Sequence, residues 1–320
     1  MNQKFSWPQY PSTEAEFESL MTAVNEKLSG FDLKPHQRPF HVGRLFWQAF
    51  GWGGKVMPPS FLADEPGYEG DILMAKAWRW YEQVLGTRLN TSMTLGNVPI
   101  SIAGTVWKVL IAEWFGSVDF YFDKDLSKKG RSDMQGTSIP SLNVLTMIDQ
   151  LPQGLVDRTS MQELNNVLSF YVFAMRGLEW RNNLPRTQLL DMARGDYNSS
   201  SQNIFDNLYS QARWMSQQAA EKTLKGLLAI GGTKYQTRGK GHDLQGLATL
   251  LHKEHGIKIH SAIISAAQCS TNVRYDETST SAQALVANHA VLGIYDALKN
   301  CSNVNKLLLD GKAAGRILPV

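Results

Sequence analysis

The stretch Gln211-Ala212-Arg213-Trp214-Met215-Ser216-Gln217-Gln218-Ala219-Ala220-Glu221-Lys222-Thr223-Leu224-Lys225-Gly226-Leu227-Leu228 decides how the rest of the chain is read. Its apolar residues Trp214, Met215, Ala219, Leu224, Leu227 and Leu228 recur at helical spacing and do not alternate. Ala219, Ala220 and Gly226 are small enough to admit a close neighbouring helix. Lys222 and Lys225 stand three apart and share a face. Their aliphatic stems can cover apolar neighbours while the ammonium groups stay in water or meet an anion. The stretch therefore reads as a central bundle helix with a basic edge. That edge is either a solvated face of a core helix or part of an anion site.

Two further clusters follow in order, Gly241-His242-Asp243-Leu244-Gln245-Gly246-Leu247 and Asn272-Val273-Arg274-Tyr275. The succession Gln-Gln-Ala-Ala-Glu-Lys-x-x-Lys, then His-Asp-Leu, then Arg-Tyr resembles the HEPN family, from about Leu184 to Asn303. Members of that family are helical bundles, often dimeric. Some are ribonucleases of toxin-antitoxin and defence systems. Others bind nucleotides or act as partners of nucleotidyltransferases. The resemblance implies a nucleotide- or RNA-binding module acting as a homodimer or with a partner protein, in prokaryotic stress or defence. The alternatives are a metal-independent ribonuclease and a structural dimerisation platform. Ala262, Ala266 and Ala267 are the small residues expected at a dimer contact.

The family's ribonucleases carry an arginine followed, after about four to six residues, by a histidine. Cleavage of RNA by its own 2′-hydroxyl needs an acid or base that titrates near neutrality and a cation for the phosphate. The nearest approach here is Arg238-Gly239-Lys240-Gly241-His242, with three intervening residues, two of them glycine. Arg238 and His242 are thus the catalytic candidates, on a spacing that departs from the pattern, and weak or absent cleavage is expected. Lys222, Lys225, Arg274 and Tyr275 are the ligand-binding candidates, with His242 beside them around one basic groove. For His242 the competing role is structural, a ring bonded to backbone or cap beside Asp243 at a helix start. For Arg274 it is pairing with Asp276, Glu277 or a carbonyl.

The 320 residues are 43% hydrophobic and 19% charged, with a formal net charge of +3. This is the composition of a folded soluble protein, and the small positive charge permits nucleic-acid contact without demanding it. Two cysteines, Cys269 and Cys301, make no disulfide framework. The start Met1–Pro8 lacks an apolar signal core, and no apolar run is long enough to span a membrane, so a cytoplasmic protein is expected. No cofactor is implied. His252, His255 and His260 place no third metal ligand, and a surface role is expected for them.

Along the N-terminal part, Thr13-Glu14-Ala15-Glu16 reads as a capping box, and Gly30 as a left-handed helix end. Val42–Phe50 is open between helix and strand. His36, Arg38 and His41 match no metal spacing. A helix is expected over Asp71–Leu85. Val98–Gly104, Thr105–Ala112 and Phe115–Phe122 read as two or three strands joined by turns in one small antiparallel sheet. Asp119 and Asp123 are expected on its solvated face, with Phe120 and Phe122 opposite. Ser141 is expected to cap a segment through Ile148, and Thr159 or Ser160 to open a long helix through Asn182. Pro185 marks the boundary. Beyond it, helices are expected from Leu189, with a polar break at Asn198–Ser201, then from the central stretch, from His242, over Ser261–Thr271 and over Ser279–Leu298. The fold expected is mainly α, with a small β-containing N-terminal part and a C-terminal HEPN-like bundle. The domains are 1–183 (α+β, role unknown), 184–303 (bundle) and 304–320 (tail).

Overall fold

The structure, a computed structural model, describes residues 5–31, 33, 35–55, 57–86, 89, 94–114, 117–131, 139–235, 242–275 and 279–317; the side chains of Pro35, Arg131, Thr271 and Tyr275 lie outside that description. Contacts divide the chain into two compact units, Met1–Ser92 with Asp133–Thr137, and Met93–Ser132 with Ser138–Val320.

The first unit is helical: α1 (Glu14–Ser29), α2 (Arg38–Phe50) and α3 (Gly70–Leu85). Thr13 caps α1 by accepting from the Glu16 amide at 3.3 Å. The reciprocal half of the capping box does not form, because Glu16 instead accepts from the Ser12 amide (2.7 Å) and hydroxyl (2.8 Å). Those bonds hold its carboxyl below the usual range. Gly30 sits at φ −73°, right-handed, so the left-handed end expected there is absent. The undecided Val42–Phe50 is helix. Pro39 falls in its first turn, where a missing N–H costs nothing, and Gly51 ends it at φ +69°. Leu20, Met21 and Val24 of α1 share one core with Val42, Phe46, Leu73, Met74 and Tyr81. Arg38 donates to the Asn25 side chain at 3.0 Å.

In the second unit, β1 (Thr94–Ile102) and β2 (Thr105–Ala112) form an antiparallel hairpin. Its two-residue loop has positive φ at both Ala103 (49°) and Gly104 (77°), the turn whose twist matches the strands. The strand expected near Phe115–Phe122 does not join this hairpin. As β3 (Asp119–Tyr121) it pairs parallel with β5 (Ser141–Asn143), which pairs antiparallel with β4 (Gly130–Arg131). There are thus two small sheets where one was expected. Ser141 lies in a strand, and the turn Val144–Met147 is capped by Asn143 instead. Asp123 lies beyond its strand and pairs with Lys128 at 2.9 Å.

The helices that follow are α4 (Gln153–Arg158), α5 (Met161–Asn183), α6 (Gln188–Phe205), α7 (Tyr209–Ile230), α8 (Leu244–His255), α9 (Ser261–Ala267), α10 (Ser281–Lys299) and α11 (Ser302–Ala313). The protein is mainly α, with its small strand region N-terminal to the bundle. Ser160 caps α5 through the Glu163 amide at 3.2 Å. Phe120 packs on Tyr171 of α5 with ring centroids 5.5 Å apart, which draws β3 to that helix. Three points differ from the sequence expectation. Helix α6 runs unbroken through Asn198–Ser201, and α9 stops at Ala267. Residues Ser302–Ala313, read as tail, form α11, with Val304, Leu307 and Gly311 buried. No helix among the described residues is long and apolar enough to cross a membrane.

Two arginines close the turn around Pro185. Arg194 of α6 donates to the carbonyls of Arg181 (3.2 Å) and Leu184 (2.6 Å). Arg181 is 4% exposed and donates to the Asn198 side chain (3.0 Å) and the Leu95 carbonyl (2.9 Å). Burial pushes its pKa down. The partners are neutral oxygens, so the buried charge is held by hydrogen bonds and not by a carboxylate.

The polar run that looked like a break lies in the core. Ser200 bonds Ser216 of α7 at 2.7 Å, and Asn288 of α10 donates to Ser200 (3.0 Å) and Ser201 (3.2 Å). Tyr197 donates to Asn288 at 3.2 Å. These groups satisfy one another between three helices, as buried polar groups must.

Candidate functional site

Helix α7 is covered on nearly all sides; even Gln217, Glu221, Thr223 and Lys225 are buried. One stripe of it is polar. Trp214, Gln217, Gln218, Glu221 and Lys225 recur at three- and four-residue steps, which puts them on one face. That face meets His242 just before α8 and the segment 268–274 after α9.

Glu221 is the hub. Its side chain is 5% exposed. One carboxylate oxygen accepts from Lys225 Nζ at 2.6 Å. The other lies 2.9 Å from His242 Nδ1 and 3.3 Å from Gln218 Nε2. A carboxylate only accepts, so this contact puts an imidazole hydrogen on Nδ1 and turns Nε2 away from Glu221. The His242 side chain is 42% exposed, and among the described residues its Nε2 has no hydrogen-bond partner. The backbone at His242 is fixed as well. Its carbonyl accepts from Gln217 (3.4 Å) and Gln268 (3.3 Å), and Gln268 in turn accepts from the Leu244 amide (2.8 Å). Asp243 caps α8 through the Gln245 amide at 3.1 Å.

Aromatic and cationic groups surround the ring. Trp214 lies 6.4 Å from the His242 ring, and the Arg274 guanidinium sits over the Trp214 ring at 4.7 Å. Arg274 is exposed and takes part in further interactions. Lys225 Nζ lies 5.8 Å from the Tyr235 ring. The arrangement joins a carboxylate-oriented imidazole, an indole face and an exposed guanidinium. It can exchange a proton at Nε2, stack a planar group and attract an anion.

Of the residues singled out by sequence, His242, Lys225 and Arg274 come together here. Lys222 points to α6 and pairs with Asp196; the two side chains are 17% and 19% exposed. Both lysines of the basic edge are therefore already neutralised, Lys225 by Glu221 and Lys222 by Asp196. Arg238 lies outside the described residues, as does the Tyr275 side chain; the backbone of Tyr275 ends the turn Thr271–Tyr275. Sequence reasoning assigned no role to Glu221, Trp214, Gln217 or Gln268. The available signal was the Glu221–Lys225 step of four, the ion-pair spacing of a helix face.

His255 and His260 have local tasks. His255 bonds the Thr233 hydroxyl at 2.8 Å, and His260 Nδ1 accepts the Ala262 amide at 3.2 Å. Among the described residues no group of three or more His, Cys, Asp or Glu is placed to hold a metal ion. Cys269 is buried, and burial pushes its thiol up to about 11. Ala267, expected at a dimer contact, is fully buried within the bundle, while Ala262 is exposed and Ala266 half-buried.

Residues 187–301 match the family profile of the HEPN domain. The match starts at the cap of α6 and ends just past α10, so it takes in the whole His242 site. Comparisons with curated proteins and with solved structures return no match.

Proposed function

We propose that the C-terminal bundle binds RNA or a nucleotide on the face formed by Trp214, His242 and Arg274. The observation that carries this is the Arg274–Trp214–His242 cluster, held in place from beneath by buried Glu221. A nucleobase stacks on an indole face, and a phosphate pairs with an exposed guanidinium. Lys225 pairs with Glu221 and so supports the site from behind, while Lys222 pairs with Asp196. The module works as a homodimer or with a partner protein, in the cytoplasm, in prokaryotic stress or defence; the HEPN match supports this context.

The test is fluorescence anisotropy with a labelled single-stranded RNA in EDTA. Trp214→Ala is expected to weaken binding by about five- to a hundredfold, the worth of one stacked base. Arg274→Ala is expected to weaken binding and flatten its salt dependence. Unchanged affinity in both folded variants would move the site elsewhere.

A second reading, metal-independent RNA cleavage, draws on the Glu221–His242 contact. Nε2 would accept the 2′-hydroxyl proton as that oxygen attacks phosphorus. A 2′,3′-cyclic phosphate would form as the P–O5′ bond breaks, and the leaving 5′-oxygen would take a proton from water. The spacing of Arg238, the cation for the phosphate in this reading, departs from the family's nucleases, so turnover is expected to be weak. RNA incubated in EDTA with wild type and with His242→Ala decides it: robust cleavage lost in the folded variant would put catalysis ahead of binding.

A further inference from the structure

The two outer edges of the β1–β2 hairpin are treated differently. The edge of β1 is covered: the Leu95 carbonyl accepts from Arg181 at 2.9 Å, and the Pro99 carbonyl from His289 Nε2 at 2.8 Å. Pro99 itself has no N–H to offer. On β2, the described residues cover only the far end. Asp149 donates its amide to the Lys108 carbonyl at 2.8 Å, and Val109 forms an antiparallel bridge with Ile148. Gln150 then turns the chain away at φ +54°.

The direction of the remaining groups follows from the register. Pro99 and Lys108 are partners, and both turn their carbonyls away from the hairpin. Direction alternates along an antiparallel pair, so Val106, two residues before Lys108, also turns its N–H and C=O outward. Among the described residues neither group has a partner. This edge opens on a cleft of about 550 Å³ lined by Thr105–Lys108, Gln150, Gln202, Ile204, Phe205, Asn207 and Tyr209, among others.

We propose that the β2 edge at Thr105–Lys108 accepts an extended segment of a partner protein as an added antiparallel strand, continuing the line begun by Ile148 and Asp149. Four residues of edge span about 13 Å, enough for a short stretch of peptide backbone. The main chain supplies the hydrogen bonds and the cleft selects the side chains, as in strand addition generally. Half-buried Phe205 and Tyr209 would receive an apolar side chain. The exposed amides of Gln150, Gln202 and Asn207 suit uncharged polar ones. The one ion pair beside them, Lys108–Asp149 at 2.9 Å, is already matched, so the segment need not be charged.

The experiment selects a display library of short random peptides against the full chain. Enriched peptides are expected to alternate apolar and polar residues, and their binding should slow exchange of the Val106 amide in NMR spectra. Val106→Pro removes only the outward N–H, which an edge strand tolerates. It should weaken these peptides roughly five- to tenfold, the worth of one hydrogen bond. Gln202→Trp fills the cleft from α6 without touching the hairpin and should abolish binding. Three results would overturn the proposal: no enrichment, peptides that bind both variants as they bind wild type, or a Val106 amide already protected in the free protein.

Discussion

Helix α7 carries two buried polar clusters five residues apart, and they are built on opposite principles. Around Ser216 every group is neutral and finds its partner inside: Ser200 at 2.7 Å, with Asn288 and Tyr197 completing the set. Around Glu221 sits a buried ion pair with Lys225, and one neighbour, His242, is 42% exposed. A closed neutral network fixes how α6, α7 and α10 sit against one another, because any misfit strands a polar group. A buried charge adds desolvation cost and is a poor way to gain stability. Its place beside a half-exposed imidazole supports the proposal that the second cluster serves a ligand, while the first holds the helices together.

The contrast breaks most visibly at Glu221. Glu221→Ala leaves the Lys225 ammonium, 8% exposed, without its partner. A loss of about 3–5 kcal/mol in urea unfolding is expected. The double variant Glu221→Leu with Lys225→Met should recover most of it, since an apolar pair of similar size often replaces a buried ion pair at little cost. A loss under about 1 kcal/mol for the single change would mean that the pair is solvated.

The neutral cluster should respond less and only in stability. Asn288→Ala takes a partner from the Ser200, Ser201 and Tyr197 hydroxyls, of which Ser200 keeps Ser216, at about 1–3 kcal/mol. RNA affinity measured on the folded variant should be that of wild type. A weakened affinity would tie the closed network to the site and dissolve the distinction.

The two clusters were not equally legible in the sequence. The central helix was legible because Trp214 to Leu228 keeps a helical period, and His242 and Arg274 stood out through their ordered motifs. The role of Glu221 was hidden, because a glutamate between alanines and lysines reads as a surface residue until the helix is known to be covered on all sides. The same blindness made Asn198–Ser201 look like a break: serines and asparagine signal loops only when nothing pairs with them, and here Ser216 and Asn288 do. The mispaired strand has a similar cause. Asp119–Tyr121 has strand composition, but its partner Ser141–Asn143 lies across a long intervening segment that local pattern cannot bridge. Spacing suggested one shared face for Lys222 and Lys225, yet Lys222 turns to Asp196 of α6, a contact between helices that spacing cannot show.

A third test uses pH. His289 donates from Nε2 to the Pro99 carbonyl and lies tilted against Phe170 with ring centroids 4.4 Å apart, and burial lowers its pKa. The unfolded chain titrates near 6.5, so between the two values the unfolded state binds more protons and stability rises with pH. Stability is therefore expected to fall as the pH drops through about 6.5, and the loss should level off below the folded-state value. His289→Gln keeps an N–H donor but removes the titration. Thermal unfolding at pH 5 and 7.5 should show a smaller difference for the variant than for wild type; equal differences would assign the effect to other groups.

The smallest effect is expected at Lys222, and it separates the two ways of reading the basic edge. A lysine that contacts phosphate contributes about 0.7–0.9 to the slope of log affinity against log salt. Lys222 is largely covered and its charge is met by Asp196 on α6, so it has little free charge to offer a ligand. Lys222→Ala should leave the slope nearly unchanged, while Arg274→Ala should lower it by about one phosphate contact. Asp196→Asn supplies the converse, because it releases the ammonium without moving the helix and should steepen the slope. If instead Lys222→Ala alone flattens the slope by a full contact, the Lys222–Asp196 pair opens when RNA binds. The two lysines of the opening stretch would then belong to the anion site, as their shared face first suggested.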